Sequence, residues 1–151
     1  MKKYDIILYG ATGFTGKRSV EYFQKHAAKT VKWAIAGRNK QKLLALKEAL
    51  KLSVDVLVAD ALNRDEIDFL VKQTKIILTT AGPYALYGSN IIASCAHNGV
   101  HYVDITGESP GFVICWINTE KQQKNLVLKS LTFVVLIVFQ QTLAYGFYKN
   151  I

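Results

Sequence analysis

Short apolar runs alternate along this chain with longer segments in which apolar residues recur every three or four positions. The runs predict strands and the recurrences predict helices. Residues 4–9 (YDIILY), 31–38 (VKWAIAGR), 54–60 (VDVLVAD), 75–84 (KIILTTAGPY, a strand with its following loop) and 101–108 (HYVDITGE) form the strand set. Between them, residues 15–29, 40–51, 64–73 and 89–99 form the helix set. Leu43, Leu46 and Leu50 fall on one helical face, and Asn39 stands where an N-cap is wanted. Arg64 opens a helix with acidic residues in its first turn, as the helix dipole favours. Gly99 stops the last helix. Strict alternation of strand and helix predicts an α/β, Rossmann-like doubly wound fold, with a parallel sheet in the order 3-2-1-4-5.

That placement gives meaning to YDIILYGATGFTGK. Three glycines, Gly10, Gly13 and Gly16, sit where the first strand passes into the first helix. In a doubly wound sheet, ligands bind at the carboxyl ends of the strands, and the first strand–helix turn approaches a pyrophosphate. Gly10 permits the tight turn, Gly13 admits the phosphates to the backbone, and Gly16 lets helix and strand pack closely. The candidate cofactor cradle is the whole turn: Gly10, Ala11, Thr12, Gly13, Phe14, Thr15 and Gly16. The helix N-terminus adds free N–H groups and a positive dipole end. The spacing, G-x-x-G-x-x-G, is a variant of the usual dinucleotide fingerprint.

About 20 residues past the last glycine, an NAD-binding domain carries an acid for the ribose hydroxyls. Arg38 holds that place here, followed by Asn39 and Lys40. A guanidinium accepts a 2′-phosphate where a carboxylate would repel it, so the cofactor expected is NADP(H) rather than NAD. The bland alternative is a surface arginine at a strand end. Asp60 suits either a bond to the adenine amino group or a cap on the following turn. Thr80, Gly82, Pro83 and Tyr84 lie where the nicotinamide half would pass. Tyr84 and Tyr87 could stack or hydrogen-bond there, or simply pack at an edge.

Composition bounds the rest. The chain has 151 residues, half of them apolar, which is one domain with a core. Its net charge of +8 is scattered rather than gathered in a stripe, which fits a solvated surface with an anion site better than nucleic-acid binding. Cys95 and Cys115 form no CxxC pair and read as buried free thiols in a reducing compartment. His97 and His101 are too few for a metal site. The N-terminus does not read as a signal peptide. No catalytic acid–base pair or nucleophile stands out in residues 1–108, so catalytic residues remain unassigned.

GATGFTGK, the AGR turn and above all GPYALYGSNIIASCAHNGVHYVDITGE resemble the N-terminal part of saccharopine dehydrogenase-like oxidoreductases, animal proteins related to the bacterial trans-acting enoyl reductases. The resemblance covers residues 4–108. It implies an NADP-binding Rossmann domain followed by a larger domain that shapes a small-molecule or lipid substrate pocket. It also implies an intracellular protein, cytoplasmic or associated with lipid droplets and membranes.

After Glu108 the resemblance stops, where the family continues with a helix and a motif near CGFDSIPSDLG. Back-translating residues 133–150 and reading two bases later permits CGFDSIPADFGLWFLQK, and the same shift over residues 113–133 permits a helix-and-strand sequence. The expectation is a nucleotide-binding domain at 1–108 and a frameshifted tail at 109–151 in place of the substrate domain. The rival reading of the tail is a membrane span over residues 130–147, interrupted by Gln140 and Gln141.

Overall fold

The computed structural model describes residues 2–105. Five strands run in chain order as β1 (Tyr4–Tyr9), β2 (Trp33–Gly37), β3 (Asp55–Val58), β4 (Thr74–Thr79) and β5 (His101–Val103). Four helices separate them: α1 (Phe14–His26), α2 (Lys40–Ala49), α3 (Arg64–Val71) and α4 (Tyr84–Asn98). The sheet has the expected order, β3-β2-β1-β4-β5. Every neighbouring pair is parallel, including β1 with β4, in register Ile7↔Ile77 and Leu8↔Leu78. The order reverses beside β1, because the chain first builds outward through β2 and β3 and then returns to β4 on the other side.

Side chains alternate across the sheet with the strand period of two. Ile7, Tyr9, Ala34, Ala36 and Ile77 enter one core with Ile67 and Leu70 of α3 and Ile91 and Cys95 of α4. Leu8 and Ile35 enter the opposite core with Val20 of α1 and Leu43 and Leu46 of α2. Both faces are therefore covered, and the strands read as continuous apolar runs for that reason. Cys95 is buried and free, as expected, while Cys115 lies outside the described residues.

Helix ends follow local chemistry. Asn39 caps α2 as expected, its Oδ1 accepting the Lys42 N–H at 2.9 Å. Asn63 caps α3, and Glu66 reaches back to accept from the Asn63 side chain and the Asp60 N–H, both at 2.8 Å. Gly99 ends α4 in the left-handed region, φ 63°.

Several boundaries differ from the sequence expectation. Helix α4 begins at Tyr84, not at residue 89, because Pro83 serves as its N-cap and Gly88 is an interior packing position rather than a break. A Cβ on Gly88 would sit in ordinary contact with the Tyr102 hydroxyl, 3.6 Å away. Helix α1 runs from Phe14 to His26 rather than over 15–29, leaving the helical region at Ala27 with ψ 134°. Helix α3 ends at Val71 rather than 73, and β2, β3 and β5 are shorter than their apolar runs. Residues 106–108 of the expected fifth strand, the tail and its candidate membrane span lie outside the described residues. Among the described residues, no helix is long and apolar enough to cross a membrane.

Gly16 is the tightest point of the fold. A Cβ there would overlap the Gly10 carbonyl oxygen and lie 2.9 Å from the Ala11 backbone. Overpacking against atoms that can yield costs roughly 1–3 kcal/mol, and backbone yields least. Gly16→Ala is expected to cost about 3 kcal/mol, a fall of about 12 °C or more in Tm. Thermal unfolding by circular dichroism checks this; an unchanged Tm would show that α1 can shift away from β1.

Candidate functional site

The carboxyl ends of β1, β2, β3 and β4 open into one cleft of about 200 Å³. Tyr9, Gly10, Thr12 and Gly13 line it from β1 and its turn; Gly37 and Arg38 line it from β2. Asp60 and Ala61 follow β3, Thr80, Ala81 and Gly82 follow β4, and Tyr87 comes from α4.

The glycine turn is tied to both neighbouring strands. Gly10 and Ala11 donate their N–H groups to the Ala36 carbonyl of β2, at 2.9 and 3.3 Å. From the other side, the Thr80 N–H donates to the Tyr9 carbonyl at 2.9 Å, and its hydroxyl lies 3.3 Å from the carbonyl oxygens of Tyr9 and Gly10. Gly10 has φ +81°, and a Cβ on it would lie 2.8 Å from the Ala81 nitrogen. Only glycine satisfies both demands.

Gly13 differs from its two companions. Its φ is −71°, and an added Cβ would meet only the Gly10 carbonyl oxygen, at 3.4 Å. Among the described residues nothing requires glycine there; the bare position lines the cleft. Gly13 is also the N-cap of α1, and its helix has no side-chain cap. The first N–H groups of an α-helix have no partner within the helix. They carry the positive end of the helix dipole, a ready anion site.

Arg38 is exposed at the end of β2 and makes no ion pair with a carboxylate among the described residues. Its guanidinium carbon lies 5.7 Å from the centroid of the Tyr87 ring. Tyr87, reaching in from α4, therefore lies against the arginine at the β2 side of the cleft. Of the two roles open to Asp60, the structure displays the cap: its Oδ1 accepts the Leu62 N–H at 3.0 Å. The Tyr9 hydroxyl donates to the Ala59 carbonyl at 2.9 Å. Burial, and then the Asp60 charge, push its pKa up to about 12.

Of the sequence candidates, Gly10, Thr12, Gly13, Arg38, Asp60, Thr80 and Gly82 converge on the cleft. Ala11 and Gly16 are buried beneath it and shape the turn from below. Phe14 and Thr15 are exposed in the first turn of α1, Phe14 to 86%. Asn39 is committed to its cap, Pro83 begins α4, and the Tyr84 hydroxyl donates to the Thr79 carbonyl at 3.4 Å. Sequence reasoning did not select Tyr9, Gly37, Ala61 and Ala81. The small residues among them are the clue it passed over, since Gly37 ends β2 and Ala61 and Ala81 lie in the loops that follow β3 and β4. No group of three or more metal-ligating side chains occurs among the described residues.

Sheet order, glycine turn and cleft together define a Rossmann-like doubly wound domain. The chain belongs to the saccharopine dehydrogenase NADP-binding domain family, whose model matches residues 6–132. NADP(H), expected from Arg38, is the cofactor of that family. The match extends past Glu108, where the motif resemblance stops. A Mycobacterium tuberculosis homologue of the trans-acting enoyl reductases is 41% identical over 110 residues, covering 71% of this chain and 26% of its own. The trans-acting enoyl reductase of Mycobacterium leprae is 36% identical over 110 residues, with the same coverage of 71% and 26%. The chain thus spans about a quarter of the length of the curated relatives it matches. Among solved structures, yeast apo saccharopine dehydrogenase (L-Glu forming) superposes with a TM-score of 0.62 at 16% identity, over 74% of this chain and 23% of that one. Citrobacter triphenylmethane reductase complexed with NADP(H) gives 0.60 at 17% identity, over 81% and 46%. At such identities the likeness is one of fold.

If Gly13 is bare for a ligand's sake, Gly13→Ala should lower Tm by no more than about 4 °C, the loss of a glycine N-cap, while weakening NADPH binding about tenfold or more, since a methyl group would stand where phosphate must approach. Paired thermal unfolding and fluorescence titration read both effects. A large loss of Tm with unchanged affinity would make Gly13 a folding residue instead.

Proposed function

We propose that residues 1–108 are the NADP(H)-binding half of an oxidoreductase, with the 2′-phosphate held by Arg38 and the pyrophosphate by the turn from Gly10 to Gly16. One observation carries the reading. Arg38, with no carboxylate to neutralise it among the described residues, shares a cleft with Gly13 at the uncapped start of α1. A cationic fork beside free N–H donors fits an anion with two phosphate groups at different places. Thr80 and Gly82 then lie along the path of the nicotinamide half, with Pro83 and Tyr84 supporting that loop at the start of α4.

The cofactor supplies a hydride; the protein must orient it and exclude water. The relatives' name suggests that the acceptor is an enoyl double bond. Within residues 1–108 the side chains bind and orient, and the substrate pocket is completed elsewhere. On our reading, GPYALYGSNIIASCAHNGVHYVDITGE supports a kinship with the animal members of the family. Residues 109–151 are, on the same reading, a frameshifted translation of the family's next helix, strand and motif. Sequencing the transcript across the codon for Glu108 tests this directly, and clean full-length message in the present frame would leave only a genuine lesion.

NADPH is expected to bind about one to two decades more tightly than NADH, the worth of a charge-assisted bidentate contact. Arg38→Asp should erase or reverse that preference in a fluorescence titration. Equal affinities, unmoved by the substitution, would remove Arg38 from the site.

Turnover separates an enzyme from a domain that only holds cofactor. Catalysis needs the acceptor fixed at near-attack distance with water excluded. The 151-residue chain should therefore consume no NADPH over a panel of carbonyl and enoyl substrates, while a frame-restored, full-length form should bind cofactor and turn over. Clear turnover by the shorter chain alone would place a complete pocket within it.

A further inference from the structure

We propose that Tyr87 is a positioning residue for cofactor discrimination: its ring holds the Arg38 guanidinium so that the donor edge stays free for the 2′-phosphate. This rests on the NADP(H) reading above and names the part of the site that sets its selectivity. Arg38 directly follows β2, Tyr87 lies in the first turn of α4 after β4, and β1 runs between those two strands. The pair therefore meets across the point where the strand order reverses, and both residues line the cleft with Gly13.

The chemistry of the contact matters more than its existence. A long arginine side chain on a strand end samples many rotamers and must be held if it is to present a fork. A carboxylate would hold it by occupying the in-plane N–H donors and cancelling the charge. An aromatic face holds it by the quadrupole, with the guanidinium at 5.7 Å from the ring centroid, inside the cation–π range. The donors then point outward and the charge survives. Tyr87 is suited to this task because its ring is itself fixed: it is half-buried and packs against the core formed by β1, β4, α3 and α4. Its hydroxyl makes no hydrogen bond among the described residues, so the ring face is the functional part.

The test compares dissociation constants for NADPH and NADH, with Tm, in the full chain and its Tyr87→Phe, Tyr87→Leu and Arg38→Asp variants. Tyr87→Phe keeps the face and should keep the wild-type NADPH:NADH ratio. Tyr87→Leu keeps apolar bulk and loses the face; the ratio should fall about two- to fivefold through NADPH alone, with NADH affinity and Tm held. Tyr87→Met replaces the leucine variant if that one does not fold. A wild-type ratio in the leucine variant, or equal weakening of both cofactors, would overturn the proposal and leave Tyr87 as packing. If Arg38→Asp leaves the ratio unmoved, the NADP(H) reading itself falls; if Arg38→Asp collapses it and Tyr87→Leu does not, only the role of Tyr87 falls.

Discussion

Three stretches of backbone meet at the turn after β1 with no room for a Cβ, and the site depends on that meeting. Gly16 lets the start of α1 lie on the Gly10 carbonyl; Gly10, at positive φ, lets the loop after β4 come within contact at Ala81. The hydrogen bonds from Gly10 and Ala11 to Ala36 bring in the end of β2. One seven-residue turn thus sets the positions of the α1 N-terminus, the Arg38 strand end and the β4 loop relative to each other. The cleft is the space left between them. Its shape is fixed by backbone, which gives way less than side chains do.

The two ends of the sheet treat charge in opposite ways. At the amino ends of the strands, charges are paired: Lys75 with Asp5 at 2.6 Å, Lys3 with Asp55 at 3.1 Å, and the Tyr4 hydroxyl on Asp55 at 2.5 Å. Hydrogen bonds from Lys75 and the Lys32 backbone hold the Asp5 carboxyl below the usual range, and those from Tyr4 and Lys3 do the same for Asp55. These pairs are exposed, so each is worth little to stability. At the carboxyl edge the uncapped α1 and Arg38, which has no carboxylate partner among the described residues, are both positive and share one cleft. An anion placed there gains two interactions that the protein has not already used.

The architecture was legible because each strand–helix alternation carried its own punctuation. Asn39, Gly99 and the acidic first turn of α3 all stand where their chemistry predicted, and the strand order followed from the alternation. The early start of α4 was not legible, because GPYALYG in sequence does not say whether it continues a loop or opens a helix; the N-cap at Pro83 decides it. The same limit hid the pairing of Arg38 with Tyr87. Residues 49 positions apart meet only because β1 separates β2 from β4 by a single strand, and no local pattern records that. Asp60 shows the converse: two roles were open in sequence, and the hydrogen bond to Leu62 two residues on shows the local one in place.

The cleft's own side chains argue for a division between holding the cofactor and performing proton chemistry. The Tyr9 hydroxyl is pushed up to about 12 and donates to Ala59, so it stays neutral at physiological pH and its proton is engaged. The Thr80 hydroxyl is turned onto the backbone of the glycine turn, and Asp60 is turned onto Leu62. Cys95 is buried in the α4 core, where desolvation pushes the thiol up and keeps it unreactive. Tyr9, Thr80 and Asp60 are thus engaged in shaping the domain, and Cys95 is kept neutral by burial. Reduction of an enoyl or carbonyl group needs a proton as well as a hydride. On the proposed reading, that proton comes from water or from a residue beyond residues 1–108. On the same reading, selectivity for the cofactor lies at Arg38 and the glycine turn, and selectivity for the acceptor is left to whatever closes over the cleft.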